Sequence, residues 1–180
     1  MRFQPTAIAG AFVVDVTEGH DERGMFARTF CADTFAQQGL ASSFPQCNVS
    51  LNHKRGTLRG LHYQLAPGEE VKLVRAVRGR VFDVAVDLRP DSPTFRQWAS
   101  VELDAALRNA FYIPAGCAHG FLTLQDDSEL FYQMSQVYQP DLARGLRWDD
   151  PAFAIEWPFA PAVISQRDAA LGTFDPKDVS

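Results

Sequence analysis

Positive charge is in short supply in this chain: 17 lysines and arginines stand against 22 aspartates and glutamates, a formal net charge of −5 over 180 residues. With a pI near 5.3, it lacks the broad basic face that nucleic acid or an anionic membrane requires, and neither is expected as a partner. Any anionic ligand must meet a local cluster of cations instead. Cysteine is scarcer still, limited to Cys31, Cys47 and Cys117. An odd number at spacings that match no zinc pattern reads as small core side chains. Long apolar runs are missing as well. The opening Met1-Arg-Phe-Gln-Pro-Thr-Ala-Ile has neither the h-region of a signal peptide nor the length of a spanning helix, so a cytoplasmic protein is expected. No repeat, low-complexity tract or linker divides the chain. At this length and 46% hydrophobic content, one domain over residues 1–180 is expected, with a tail held loosely after about residue 171.

Helical periodicity is rare too. Only Ala32–Gln38 reads as a helix, with Asp33 or Thr34 to cap it and Gly39 to end it. What is abundant is alternation of apolar and polar residues in short runs between Gly, Pro, Asn and Asp. In Arg80–Leu88, Phe82, Val84, Val86 and Leu88 share one face, and Asp83, Ala85 and Asp87 share the other; a turn follows at 89–93. Further strands are expected over 12–16, 25–30, 48–51, 57–63, 71–77, 98–103, 121–124 and 130–136. The fold class that follows is all-β and mostly antiparallel, a sandwich or barrel with a few short helices.

The local cation cluster is found around His62. The run Gly56-Thr-Leu-Arg-Gly-Leu-His-Tyr-Gln64 puts Arg59 close to it in sequence, and Lys72 follows. A second element, Tyr112-Ile-Pro-Ala-Gly-Cys-Ala-His119, has the Pro-x-Gly-x-x-His spacing of the second motif of cupins, which are β-jelly rolls. Metal-binding cupins add a His-x-His pair from their first motif, and His62-Tyr63-Gln64 breaks that pair. Only His62, His119 and Glu69 or Glu70 remain as ligand candidates, too few for a tight transition-metal site, so no metal and no cofactor are expected.

Several spaced blocks resemble one family within this fold. Asp21-Glu-Arg-Gly-Met-Phe-Ala-Arg28, Gln46-Cys-Asn48, the His62 run, Lys72-Leu-Val74, Pro114-Ala-Gly-Cys-Ala-His-Gly-Phe121, Phe131-Tyr132, Arg147-Trp-Asp-Asp-Pro151 and Arg167-Asp168 resemble, in order, the dTDP-4-dehydrorhamnose 3,5-epimerases. The resemblance implies a cupin-like jelly roll that epimerises C3, C5 or both of a nucleotide-linked 4-keto-6-deoxyhexose by acid–base chemistry through an enolate. Such a reaction removes a C–H proton beside the C4 ketone and returns one on the opposite face. By resemblance His62 is the base and Asp168 the carboxylate that orients it. Tyr132 is the acid on the other face, and Lys72 the donor to the enolate oxygen. Arg23 and Arg59 resemble diphosphate-binding residues, and Gln46, Asn48, His119 and Arg167 further substrate-binding positions. Phe26 and Tyr138 resemble aromatic wall residues. A homodimer is implied, in which an N-terminal strand, here Phe12–Val16, reaches the neighbour's sheet.

Alternation places Tyr132 with Leu130 and Met134, and Lys72 with Val74 and Ala76, on inward faces. It also puts Arg59 and His62 on opposite faces, in conflict with a shared site unless Gly60 marks a bulge. The chain departs from the family pattern at Val137-Tyr138, where two tyrosines are usual, at Ala143, where a glutamate is common, and at Arg28, which replaces an acid. A 3,4-ketoisomerase of the same substrate class and a non-catalytic sugar-nucleotide-binding cupin stay open as alternatives.

Overall fold

A strand that is apolar on both faces needs cover on both sides, and this need shapes the molecule. The computed structural model describes residues 1–179. Its strands are β1 (Arg2–Pro5), β2 (Phe12–Asp15), β3 (Glu18–Asp21), β4 (Gly24–Ala27), β5 (Gln46–Asn52), β6 (Thr57–Gln64), β7 (Lys72–Arg78), β8 (Arg80–Asp87), β9 (Trp98–Asp104), β10 (Ala110–Ile113), β11 (Cys117–Thr123), β12 (Ser128–Met134), β13 (Ala143–Gly145) and β14 (Val163–Ile164). Two short helices accompany them, α1 (Ala32–Gln37) and α2 (Gln166–Ala169). One sheet runs β1-β2-β10-β7-β12-β5 and the other β13-β6-β11-β8-β9, with β14 also pairing β6. The pairing is antiparallel throughout except between β14 and β6. The result is an all-β jelly roll with a few short helices.

The core has three parts. Between the sheets lie Val74, Ala76, Val81, Ala85, Val101, Phe111, Ile113, Phe121 and Leu130. Outside the second sheet, Leu61, Tyr63, Val84 and Val86 are covered by Leu146, Phe153 and Trp157. Outside the first sheet, Val14, Leu73 and Tyr112 are covered by Phe35 of α1 with Phe30 and Phe44. Six residues are too few for an isolated helix, so α1 is held by burying Phe35, whose ring meets those of Phe3, Phe30 and Tyr112. Gly39 ends the segment at φ +72°, as expected. The expected cap is corrected: Cys31 occupies the N-cap position, ahead of Asp33 and Thr34.

Other expectations also change. Phe12–Val16 is not an edge that reaches outward, because β2 is already paired on one side with β1 and on the other with β10. The strand expected over 25–30 is shorter and pairs only β3, forming a hairpin apart from both main sheets. The strand expected over 121–124 starts earlier, at Cys117, so the Pro-x-Gly-x-x-His element itself runs into β11. After Leu171, Phe174 packs against Phe153 with ring centroids 5.2 Å apart. Among the described residues no helix is long and apolar enough to cross a membrane.

Candidate active site

A cavity of about 540 Å³ opens between the sheets at their β5 and β6 side. Gln46, Asn48, Lys72, Tyr132 and Met134 of the first sheet form one wall; Arg59, His62, Gln64, His119 and Phe121 of the second form the other. Glu70, Tyr138, Ala143, Arg144 and Arg167 also line it. On β7, β11 and β12 the inward side chains follow from strand parity: Lys72 lies in step with Val74 and Ala76, Tyr132 with Leu130, and His119 with Cys117 and Phe121, all neighbours from the inter-sheet core.

Strict parity would separate Arg59 from His62, and a bulge prevents it. Across the β6–β11 ladder His119 stands opposite His62 and Phe121 opposite Arg59, so three residue steps on one strand match two on the other. Gly60 sits at this point with φ +125°, and a Cβ there would lie 2.5 Å from the Cα of Gly120. Only glycine meets both demands. Arg59 and His62 consequently reach the same cavity.

The imidazole of His62 is fixed from outside the sheet. Its Nε2 lies 2.8 Å from Asp168 Oδ1, while Asp168 Oδ2 accepts from the backbone N–H of Gly60 at 3.2 Å. The carboxylate is held in place by α2, where the Ser165 hydroxyl accepts from the Asp168 backbone N–H at 3.0 Å. Burial pushes the Asp168 carboxyl up, but hydrogen bonds from His62 and Gly60, with the charges of His62 and Arg167, outweigh burial and hold it below the usual carboxylate range. An ionised carboxylate only accepts, so Nε2 carries the hydrogen and Nδ1 is the basic nitrogen.

The opposite wall carries a phenol and an ammonium. Burial pushes Tyr132 above its ordinary pKa; Arg59 opposes this and Glu70 adds to it. Lys72 Nζ donates to the carbonyl oxygen of His62 at 3.1 Å and pairs with Glu70 Oε1 at 2.9 Å. Arg59 Nε donates to Asn52 Oδ1 at 2.8 Å, which steadies the guanidinium. Gln46 donates to Asn48 at 3.2 Å and accepts from the Tyr138 backbone at 2.8 Å, so these three form one polar edge.

Sequence reasoning missed two partners. His119 Nε2 lies 2.9 Å from Asp83 Oδ1, a second His-carboxylate pair in which burial pushes Asp83 up against the opposing pull of His119 and Lys72. The signal was present: an acid in the middle of the apolar run 80–88 is buried there and needs a hydrogen-bonding partner. Glu70, considered only as a metal ligand, is the ion-pair partner of Lys72. Two expected site residues lie elsewhere. Arg23 and Phe26 sit on the β3–β4 hairpin, are absent from the cavity lining, and Phe26 is 77% exposed. Among the described residues no group of three His, Cys, Asp or Glu side chains is arranged to hold a metal ion.

An oriented imidazole, a protonated phenol and a buried ammonium converge inside a jelly roll, equipment suited to moving protons on a carbon acid, and the class this defines is a cupin-type isomerase. A family profile described as dTDP-4-dehydrorhamnose 3,5-epimerase matches residues 5–175, and the chain belongs to that family. It is 42% identical over 170 residues to the dTDP-4-dehydrorhamnose 3,5-epimerase of Methanothermobacter thermautotrophicus, covering 93% of this chain and 91% of the relative. It is 38% identical over 169 residues to the dTDP-4-dehydrorhamnose 3-epimerase of Streptomyces niveus, covering 93% and 81%. A similar solved structure is the dTDP-6-deoxy-D-glucose-3,5-epimerase of Legionella pneumophila in complex with dTDP-4-keto-L-rhamnose. Its TM-score is 0.92 at 36% identity, over 99% of this chain and 96% of that one.

Proposed function

We propose that this chain epimerises C3, C5 or both of a dTDP-linked 4-keto-6-deoxyhexose, with His62 as base and Tyr132 as acid. The observation that carries the reading is the opposition of the two across one cavity, His62 on β6 and Tyr132 on β12. A ketone at C4 acidifies the hydrogens on C3 and C5. His62 Nδ1 takes one of them, and the charge that forms on the imidazole is balanced by Asp168, 2.8 Å away. Electron density moves onto O4, where the Lys72 ammonium stabilises it. Tyr132 then returns a proton from the other face and inverts the centre. Arg59 and Arg167 supply guanidinium forks for the diphosphate; Gln46, Asn48, His119 and Tyr138 border the space left for sugar and base.

The same reading includes a homodimer. Edge strand β5 leaves Val49 61% exposed, with Cys47 and Leu51 also exposed beside the cavity. A second copy on this edge covers that apolar row and brings foreign side chains to the cavity mouth. The β3–β4 hairpin, with its outward Phe26 and Arg23, is the element suited to cross over and close the partner's cavity. A cytoplasmic site of action accords with the free thiols of Cys31, Cys47 and Cys117.

Proton NMR of dTDP-4-keto-6-deoxyglucose in deuterated water tests the reaction. Loss of both the C3–H and C5–H signals is expected of a double epimerase and loss of one of a single-centre enzyme; no exchange with purified protein overturns the proposal.

A further inference from the structure

Glu70 and Lys72 lie two residues apart where β7 begins, with side chains 4% and 7% exposed and Nζ 2.9 Å from Oε1. A buried ion pair is costly to desolvate and a weak source of stability, so packing gives no reason for one in a cavity wall. The geometry of the ammonium does. It has three N–H donors. Glu70 Oε1 takes one, and the carbonyl oxygen of His62, at 3.1 Å, takes another. Tetrahedral geometry then fixes the direction of the third. Both residues line the cavity together with His62 and Tyr132. Glu70 Oε2 is buried without a hydrogen-bond partner among the described residues, so the hydrogen bonding of this carboxylate is spent on Lys72.

We propose that Glu70 is a positioning residue that holds the Lys72 ammonium so that its remaining N–H meets the sugar oxygen that becomes negative on proton loss. This rests on the reading of Lys72 as the donor to that oxygen. Because Lys72 also bonds the backbone of His62, base and oxyanion donor are held as one unit. Glu70 acts on the acid as well, since its charge adds to the burial that keeps the Tyr132 phenol protonated.

The experiment measures steady-state kinetics and deuterium exchange for Glu70→Ala, Glu70→Gln, Lys72→Met and the double variant Glu70→Ala/Lys72→Met, with melting curves as a folding control. Glu70→Ala is expected to lower kcat about 10- to 100-fold, the scale of a misaimed donor, while KM stays within about threefold. Glu70→Gln, which keeps an acceptor for Nζ, recovers most of kcat and moves the alkaline limb of epimerisation to lower pH as Tyr132 loses a neighbouring negative charge. Near neutral pH, below the alkaline limb where Tyr132 matters, Glu70→Ala causes no further loss in the Lys72→Met background, because there it acts through the missing ammonium. Wild-type kcat in Glu70→Ala, or the full loss repeated in the Lys72→Met background, overturns the positioning role. Wild-type exchange in Lys72→Met instead removes the Lys72 reading and the role of Glu70 with it. Should Glu70→Ala not fold, Glu70→Asp keeps the charge but withdraws the anchor, and an unchanged kcat there overturns the proposal equally.

Discussion

The two histidines of the cavity are chemically alike and differently placed, and the difference assigns their work. His62 is half-buried, 2.8 Å from a carboxylate that stays ionised. His119 is buried against Asp83, whose carboxyl is pushed up by burial. A base must be reached by substrate and hand its charge to an anion, conditions His62 meets. His62→Ala should therefore remove C–H exchange, a loss of at least about 100-fold, and exchange at the wild-type rate would move the base elsewhere. Asp168→Asn keeps the size of the side chain but no longer selects the Nε2–H tautomer; kcat is expected to fall by about 10²- to 10⁴-fold with the melting curve little changed. Tyr132→Phe separates the two half-reactions: deuterium still enters from the His62 face while inversion fails. The pH profile supplies an independent check. Burial raises the Tyr132 phenol, so its proton is lost only above the ordinary tyrosine value of about 10, and an alkaline limb assigned to it must lie there. A wild-type limb near neutrality that disappears in Tyr132→Phe would contradict this.

At the level of strands and helices, the alternation of residues carried the reading as far as an unbroken ladder allows. On β7 and β12 period two placed Lys72 and Tyr132 inward, where the cavity has them. On β8 the apolar set Phe82, Val84 and Val86 lies on the outer face beneath Trp157, and the face with Asp83 and Ala85 looks into the molecule. Both faces are buried, so apolar character alone does not mark the inside. The short β10 was not expected for the same reason: Ala110, Phe111, Tyr112 and Ile113 are all buried and show no alternation. Strand β3, Glu-Gly-His-Asp, is polar because it pairs only within an exposed hairpin. The bulge in β6 was legible only as a condition, Gly60 being the one place where Arg59 and His62 could be brought to a shared face; what sets it is tertiary, the close approach of Gly60 to Gly120, which no local pattern records. Gly60→Ala should lower stability by about 1–3 kcal/mol through overpacking, with backbone strain at φ +125° in addition. It should also lower kcat, because straightening the ladder turns Arg59 away from His62. Thermal melting alongside kinetics checks both, and a variant with wild-type melting and turnover would show the bulge to be dispensable.

For the whole molecule the unresolved distance is between the cavity and the β3–β4 hairpin. The family resemblance put Arg23 and Phe26 at the substrate; within one chain they are outside the cavity, with Phe26 facing solvent. Arg23 is paired with Asp21 on the hairpin itself. The proposed two-fold dimer would reconcile the two, each hairpin closing the other subunit's cavity. This arrangement makes a quantitative prediction for mixtures. A chain with Arg23→Ala and Phe26→Ala keeps a sound cavity but offers a poor hairpin; a chain with His62→Ala keeps a sound hairpin over a dead cavity. Each homodimer should be nearly inactive. After unfolding and joint refolding, half of the dimers are mixed, and each contains one cavity with both His62 and an intact partner hairpin. About a quarter of wild-type activity should return if hairpins act across a two-fold axis. If each hairpin serves its own chain, mixing restores nothing, and sedimentation of the refolded sample separates that result from a failure to dimerise.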